Sequence, residues 1–181
     1  FCTLYSLFVL ALARKELSAC SFRLFIGEKP ILPQTIEDLS TKATDEELRE
    51  AFVDEWGVKY SKDGRRLLKA PYELNGTYSI RKGIKIICDE AFADCKFIGC
   101  RSLTSLVIPD SVTNIGDYAF WNCRSLTDIV IPDGVTSIGK CAFEGCSALS
   151  SVVIPDSVSC IGFGAFENCS SLHSVVIPDS V

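Results

Sequence analysis

Apolar residues recur with a fixed spacing through the second half of the chain. The tripeptide Ile-Pro-Asp occurs four times, beginning at Ile108, Ile131, Ile154 and Ile177, so the period is 23 residues. A period between about 20 and 50 residues is typical of structural units that stack on one another. The pattern therefore predicts a solenoid, and a candidate site here must first be weighed against the demands of the repeat. Two further columns keep the same spacing: Leu103, Leu126, Leu149 and Leu172, with Cys100, Cys123, Cys146 and Cys169.

Each unit is predicted to begin with a strand. In the unit that starts at Leu103, Leu106 and Ile108 alternate with Val107, which is the two-residue period of a strand with one buried face. Pro109 follows directly and lacks a backbone donor, so we expect the strand to end there. A pair of turn-forming residues then reverses the chain.

The second half of each unit is predicted to return across the coil. Val112 and Ile115 are apolar and three positions apart, and Ala119, Phe120 and Cys123 follow at a spacing that predicts one short helical or 3-10 turn. One coil cannot bury these side chains alone, but stacked coils bury them against one another. The inward set of the unit is Leu103, Leu106, Ile108, Val112, Ile115, Ala119, Phe120 and Cys123.

The consensus of the repeat points to a known family. Over about residues 75–181 it reads L-x-x-[LIV]-x-I-P-D-x-V-x-x-I-G-x-x-A-F-x-x-C. This consensus resembles the BspA-type leucine-rich repeats of bacterial and protist surface proteins. The resemblance implies an α/β leucine-rich-repeat solenoid that is mostly β, with short helical or 3-10 turns. Ordinary leucine-rich repeats have a buried asparagine ladder, but Ser111, Gly134 and Ser157 stand near that position here. We expect thiols and small polar residues to satisfy or avoid the buried backbone groups instead.

The chain is predicted to have three parts. Residues 1–26 form an apolar N-terminal segment, interpreted either as the remnant of an export signal or as a buried strand or helix. Residues 27–79 form an N-terminal cap region. Residues 80–181 form the leucine-rich-repeat solenoid, whose first repeat is worn and is lengthened around residues 96–100. Its last repeat is truncated at Val181, so we expect the natural protein to continue.

The cap region is predicted to contain a helix and a hairpin. Thr44 and Glu47 form a capping box, which places a helix at about 45–55. A hairpin is expected at about 58–70 because Asp-Gly, a strong hairpin signal, follows Lys62. Asn-Gly predicts a second turn before Tyr78. The apolar face predicted for the helix consists of Leu48, Ala51, Phe52 and Trp56.

Charge is distributed unevenly and excludes two classes of partner. The net charge is −5 overall; residues 103–181 hold two basic and eight acidic groups (−6), and residues 1–102 hold 16 basic and 15 acidic groups (+1). Nucleic-acid binding needs clustered Lys and Arg, so this balance argues against it. No basic amphipathic segment indicates membrane-surface binding, and we expect no direct membrane insertion by the solenoid.

Ten cysteines raise the question of disulfides or zinc. A spacing of 23 residues is not a metal-ligand spacing, and the chain has one histidine, so zinc is not predicted. Stacked coils lie about 4.8 Å apart, so cysteines of one column can approach disulfide range. A buried column of reduced thiols is favoured over this, because free cysteine packs as a small hydrophobe. Cys88, Cys141 and Cys160 lie off the column and are less predictable.

The repeat also accounts for the remaining polar columns. His173 takes the outward strand position of Thr104 and Thr127, and we expect a surface residue. The aspartates of the Ile-Pro-Asp motifs either cap their own turns, which is favoured, or supply oxygen ligands for calcium. We predict no catalytic residues, no cofactor and no metal site, and hence no enzyme.

The outward side of the strands is the candidate partner-binding face. Stacking places valines beside a column of Thr and Ser, and solenoids use such flat faces for protein or glycan partners. The same residue types also favour strands for their own sake, so the pattern alone fits a face without a partner as well. The candidate residues are Thr104, Val107, Thr127, Asp128, Val130, Ser151, Val153, His173 and Val176.

These features favour a non-catalytic, protein-binding solenoid. The family resemblance implies an extracellular or cell-surface location and a role in adhesion, with a host matrix protein or a glycan as partner. Two alternatives stay open: an intracellular or periplasmic scaffold with its cysteines reduced, and the substrate-positioning part of a larger enzyme. Fold alone does not decide among them.

Overall fold

The structure is a computed structural model, and it describes residues 40–93 and 100–181. The predictions for residues 1–26, for residues 27–39 and for most of the insertion around 96–100 lie outside the described residues. The described chain folds as a single helix followed by twelve strands.

The helix, α1 (Asp45–Arg49), starts at the predicted capping box. The Glu47 N–H donates to Thr44 Oγ1 over 3.1 Å, and the Thr44 N–H donates to Glu47 Oε2 over 2.8 Å. These bonds satisfy backbone donors that the first turn of a helix leaves free. The same Glu47 forms a 2.8 Å salt bridge with Arg66, which ties α1 to the hairpin that follows.

The helix is shorter than the predicted range of about 45–55. Phe52–Val53 instead form β1, which pairs antiparallel with β2 (Lys59–Tyr60). The carboxylate of Asp54 accepts a 2.9 Å bond from the Trp56 N–H, so its short side chain closes a turn in place of a further helical turn. The helical face predicted from Phe52 and Trp56 was therefore wrong, and both side chains are exposed.

The hairpin predicted at about 58–70 joins β2 to β3 (Arg66–Lys69), which pair antiparallel. Its turn contains Gly64 with φ +70°, a backbone region that glycine enters without steric cost. β3 then pairs in parallel with β5 (Ile86–Ile87), the first short strand of the repeats. The hairpin thus covers a sheet edge that the solenoid would otherwise leave open.

The prediction of a second turn at Asn-Gly before Tyr78 was wrong. Both residues belong to β4 (Asn75–Ser79), which pairs in parallel with β6 (Ser102–Val107). The register shifts between Gly76 and Thr77, and Gly76 has φ +68°. The Asn-Gly pair therefore forms a β-bulge, a second structure that uses glycine at positive φ. Strand pairing along the stack thus begins before residue 80.

Two rows of strands run along the stacked coils, and the strands of successive coils pair in parallel. The first row, called the strand sheet below, contains β4 and the strand that precedes each Ile-Pro-Asp motif. Its hydrogen-bonded groups are β4-β6-β8 and β10-β12. The return sheet has the order β1-β2-β3-β5-β7-β9-β11 and was not predicted from the sequence. The remaining strands are β7 (Asn114–Ile115), β8 (Asp128–Val130), β9 (Ser137–Ile138), β10 (Ser151–Val153), β11 (Cys160–Ile161) and β12 (Ser174–Val176).

The helical or 3-10 turn predicted after Ile115 is present only as separate hydrogen-bonded turns. The Trp121 N–H donates to the Tyr118 oxygen over 3.1 Å, which closes one such turn. The neighbouring Phe120 N–H instead donates to Ala142 of the next coil over 2.7 Å. Because backbone donors here bond between coils, no continuous helix forms over this stretch.

The core consists of side-chain columns that run through the coils. All eight members of the predicted inward set are buried. The phenylalanines form an aromatic stack, with ring centroids 4.8 Å apart for Phe92 and Phe120, 5.0 Å for Phe120 and Phe143, and 5.3 Å for Phe143 and Phe166. These distances are close to the spacing of about 4.8 Å between paired strands, so each coil adds one ring to the stack.

The glycine of each Ile-Gly pair is required by close contact between coils. A Cβ atom at Gly139 would lie 2.5 Å from the carbonyl carbon of Gly116, one coil earlier. A Cβ at Gly162 would lie 2.3 Å from the backbone nitrogen of Lys140. Real Cβ contacts of this length do not occur, so the repeated glycine lets neighbouring backbones approach.

Candidate functional site

The valine stripe is the most exposed apolar column of the strand sheet and consists of Val107, Val130, Val153 and Val176. Pairing places Val107 directly beside Val130 and Val153 directly beside Val176. Their exposed fractions are 53%, 69%, 66% and 56%, respectively. The structure therefore brings these four candidate residues together on one surface.

The hydroxyl column beside the stripe has a structural role. Thr127 Oγ1 donates to the Thr104 carbonyl oxygen over 3.1 Å, and Thr104 Oγ1 donates to the Gly76 oxygen over 3.0 Å. Each threonine thus joins its own coil to the previous one. In the last coil His173 stands at this position, exposed as predicted, with Nδ1 2.9 Å from the Ser171 oxygen.

Aspartates border the stripe. Asp128 pairs in register with Ser105 next to the stripe, and its side chain is exposed. Ser151 occupies the same position in β10 and pairs with Ser174. The aspartates of the Ile-Pro-Asp motifs are also exposed and follow the strands at one edge of the face: Asp110, Asp133, Asp156 and Asp179. The outward surface of the strand sheet, with these borders, is called the strand face below.

The thiol column (Cys100, Cys123, Cys146 and Cys169) is buried, and its four cysteines are free. Cys146 Sγ donates to the Phe120 oxygen over 3.2 Å, and Cys169 Sγ donates to the Phe143 oxygen over 3.1 Å. These thiols satisfy backbone carbonyls of the previous coil, the role expected in place of an asparagine ladder.

Burial also makes these thiols unreactive. It raises the pKa of Cys146 and of Cys169, because a thiolate would lose its hydration in the core. A hydrogen bond with Cys100, together with burial, raises the pKa of Cys123. Nucleophilic and metal-binding cysteines act as thiolates, so the thiol column has the chemistry of a core and not of a site.

Small polar residues complete the contacts between coils. Ser111 Oγ donates to the Ile84 oxygen and Ser157 Oγ donates to the Val135 oxygen, each over 2.7 Å. At the corresponding position, Gly134 leaves no room for a side chain, since a Cβ would lie 2.2 Å from the Asp110 oxygen. At the positions near the missing asparagine ladder, serine therefore donates to a backbone carbonyl, and glycine avoids a clash with the neighbouring backbone.

The cap contains a polar cluster that the sequence analysis missed. The hydroxyl groups of Tyr60 and Tyr78 are hydrogen-bonded to each other, and the Tyr78 hydroxyl also donates to Asp54 Oδ2. Burial raises the pKa of both tyrosines, so they remain neutral donors at physiological pH. The cluster joins the hairpin to β4 and has a structural role.

A shallow groove of about 290 Å³ crosses the turns at the far side of three coils. Trp121 is its aromatic residue, and it contacts Tyr118 edge to face with ring centroids 6.5 Å apart. Glu144 and Glu167 replace the tryptophan in the next two coils, so Trp121 departs from the repeat. The groove is lined by Trp121, Asn122, Arg124, Glu144, Gly145, Ser147 and Asn168.

In residues 40–93 and 100–181, no three His, Cys, Asp or Glu side chains are grouped closely enough to hold a metal ion. No helix in the described chain has the length and apolar character needed to cross a bilayer.

Parallel coils, stacked inward columns and a repeat of 23 residues define this molecule as a leucine-rich-repeat solenoid. A family model, the BspA type leucine rich repeat region, matches residues 96–181 in 6 copies. The repeats of this chain therefore belong to the BspA-type leucine-rich-repeat family, as their consensus predicted. No curated protein matches the chain.

Solved structures of bacterial proteins share the fold. A leucine rich cell surface protein from Faecalibacterium prausnitzii A2-165 is 33% identical over 69% of this chain, with a TM-score of 0.63. A leucine-rich repeat protein from Bacteroides ovatus ATCC 8483 is 28% identical over 71%, with a TM-score of 0.54. The pneumococcal vaccine antigen PcpA, at 21% identity over 73% and a TM-score of 0.51, shares the fold alone. This chain spans only 33%, 39% and 42% of these three proteins.

Proposed function

We propose that this chain is a non-catalytic, protein-binding solenoid of a cell-surface or secreted protein, and that it binds its partner through the strand face. The valine stripe carries the proposal, because four valines in neighbouring strands each expose more than half of their surface. Exposed apolar residues that adjoin one another mark interaction sites far more often than isolated ones do.

Strand preference alone does not require valine at this position. Ser79 of β4 occupies the same outward column and pairs with Val107, so serine is compatible with the strand. The inward neighbours already bury the apolar surface that holds the strand sheet to the core. Valine in four successive coils is therefore an addition to what the fold needs, as expected of a binding surface.

The surface location rests on similarity. One similar structure is described as a leucine rich cell surface protein, and the repeats of this chain are of the BspA type. An adhesion role and a host matrix protein as partner are part of the proposal. Thiol counting and N-terminal sequencing of protein from its host test the location. Ten free thiols together with an intact apolar segment at residues 1–13 would contradict export.

Binding through the strand face is tested by capture of purified matrix proteins on this chain. We expect Val130→Lys with Val153→Lys to abolish capture, because the substitutions place charge in the centre of the stripe. Val130→Ile with Val153→Ile is the matched control and should retain capture, since isoleucine keeps both the β-branched shape and the apolar surface. Unchanged capture by the lysine variant, with its melting temperature preserved, would refute the strand face as the binding site.

Glycan binding in the groove at Trp121 is a second candidate function. Indole rings accept the flat C–H face of a sugar, and the groove adds two amides, one carboxylate and one guanidinium as hydrogen-bonding groups. A glycan array with the intact chain and with Trp121→Ala tests it. The expected result is binding that Trp121→Ala removes and that the valine variants leave intact. Binding that survives Trp121→Ala would exclude the groove.

A further inference from the structure

Carboxylates border the valine stripe. Asp128 lies beside the stripe within β8, and four further aspartates follow the strands along one edge. All five side chains are exposed, and none of them takes part in the salt bridges found in the described chain. Uncompensated carboxylates in a row create a negative potential that attracts cationic groups.

The two basic residues of the repeats that follow the first one lie elsewhere. Between residues 103 and 181 the chain has only Arg124 and Lys140 as basic side chains. Arg124 lines the groove at the far turns, and Lys140 Nζ lies 5.7 Å from the centre of the Tyr118 ring. Neither belongs to the strand sheet. In the first repeat, however, Lys82 follows β4 where Asp110 follows β6, so the carboxylates are without a basic neighbour in their column only from Asp133 onward.

The strand face also lacks the groups that sugars use for stacking. The strands β6, β8, β10 and β12 contain only Ser, Leu, Thr, Val, Asp and Ile, and hence no Phe, Tyr or Trp ring. Carboxylates and valines without an aromatic platform suit a polypeptide better than a glycan. The stripe spans about 14 Å at a strand spacing of about 4.8 Å, which is the length of about four or five extended residues.

From this combination we infer that the occupant of the strand face is a cationic polypeptide segment, with apolar side chains on the valine stripe and Lys or Arg side chains against the bordering aspartates. This inference deepens the proposed function and rests on it. The valines supply apolar contact area, and the aspartates select the sign of the partner's charge. Charge complementarity of this kind steers association and rejects partners of the wrong sign.

Three synthetic peptides of about 12 residues, a length that exceeds the stripe, serve as probes. The first alternates lysine with valine, the second glutamate with valine, and the third lysine with serine. Binding of each to the intact chain is measured by fluorescence anisotropy at about 50 mM and about 500 mM salt, because salt screens exposed charges. We expect binding of the lysine–valine peptide alone, weaker at the higher salt concentration.

Two variants separate the contribution of the aspartate charges to binding from that of the apolar valines. Asp110→Asn, Asp133→Asn and Asp156→Asn together remove three charges, and we expect about tenfold weaker binding, from about 0.5 kcal/mol per exposed charge pair. Val130→Thr with Val153→Thr keeps every charge and is also expected to weaken binding. Asp63→Asn, a substitution of the same kind in the cap hairpin, is the control and leaves binding unchanged.

The outcomes distinguish this inference from the proposed function. Equal binding of the lysine–valine and glutamate–valine peptides would overturn the inference about charge and leave the strand face as an apolar binding surface. Equal binding of the lysine–serine peptide, or indifference to the threonine variant, would reduce the effect to non-specific attraction and also overturn it. Capture of matrix proteins that Val130→Lys abolishes, without peptide binding, would keep the proposed function and refute the cationic partner.

Discussion

The strand sheet carries two columns of aliphatic residues that differ only in direction. Leu106, Ile129 and Val152 point inward and are 3%, 4% and 2% exposed. Their immediate neighbours Val107, Val130 and Val153 point outward and are 53%, 69% and 66% exposed. Residues of similar size and hydrophobicity, adjacent in sequence, thus have opposite environments in these three coils.

Stability of the fold constrains the inward column and leaves the outward column free to vary. The inward column belongs to the same buried cluster as the aromatic stack and the thiol column, so its composition is limited by packing. The outward column makes no core contact, and serine replaces valine in the first coil of that column. Stability therefore explains the inward column fully, and the outward one is available for binding.

Replacement of a core phenylalanine should have the largest effect on stability. Phe120→Ala removes a ring that stacks on both neighbours, and we expect a loss of about 3–5 kcal/mol in the free energy of unfolding. Phe163, which is 80% exposed, is the matched control, and Phe163→Ala should change stability by less than about 0.5 kcal/mol. Urea unfolding followed by circular dichroism measures both. Similar losses for the two variants would contradict the core assignment.

The adjacent pair in β8 tests the contrast directly. Ile129→Ala should destabilise the protein by about 2–4 kcal/mol, because it leaves a cavity between coils. Val130→Thr should stay within about 0.5 kcal/mol of the natural chain, because the side chain is exposed and threonine suits a strand. Thermal unfolding of the two variants is the measurement. A loss at Val130 as large as that at Ile129 would mean that the outward column is needed for folding.

The inward column could be predicted from the sequence because it repeats. Four copies of one pattern show that Leu106 and Ile108 alternate with Val107, and stacking fixes which side is buried. The buried thiol column followed from the same logic, because a residue that recurs in every coil must suit the same environment in each. The strand face was predicted because one side of each strand packs into the core, which leaves the other side exposed.

Features that depend on pairing between coils could not be predicted in this way. The strands that the repeats contribute to the return sheet are only two residues long, as in Asn114–Ile115, and show no period of their own. The bulge at Gly76 uses the same Asn-Gly signal as a hairpin turn, and only its pairing with β6 distinguishes them. The groove at Trp121 was missed for the opposite reason: its tryptophan departs from the repeat, and such departures were the available signal.

Replacement of a cysteine in the thiol column should have an intermediate effect on stability. Cys146→Ala should cost about 1–3 kcal/mol, because it removes a buried sulfur atom together with its 3.2 Å bond to the Phe120 carbonyl, which keeps only the bond from the Cys123 N–H. Cys146→Ser keeps a donor at this position and should cost less, which makes it the matched control. Unfolding in guanidinium chloride gives both values. An equal loss for the two variants would show that the thiol acts by volume and not as a donor.

The smallest predicted effect is a dependence of stability on pH that comes from Asp89, at the start of the solenoid. Burial raises the pKa of Asp89 above its ordinary 3.8, although bonds from Thr41 and the Asp117 N–H oppose the shift. The folded chain thus binds this proton more tightly than the unfolded chain, so stability falls as pH rises from 3.8 through the folded pKa. Asp89→Asn cannot titrate but keeps an oxygen for the 2.9 Å bond from Asp117. The melting temperature of Asp89→Asn relative to the natural chain should therefore rise across that pH window and stay higher at neutral pH.

Asp63 provides the control of opposite sign. Partial burial opposes ionisation there, but hydrogen bonds from the Ser61 hydroxyl and the Arg65 N–H lower the pKa of Asp63 below 3.8. The folded chain releases this proton more readily, so the carboxylate stabilises the fold above pH 3.8 and loses that contribution as pH falls through the folded pKa. Asp63→Asn should then melt progressively lower than the natural chain as pH rises. Parallel pH profiles for the two variants would refute the distinction, because the environments of the two carboxylates predict slopes of opposite sign.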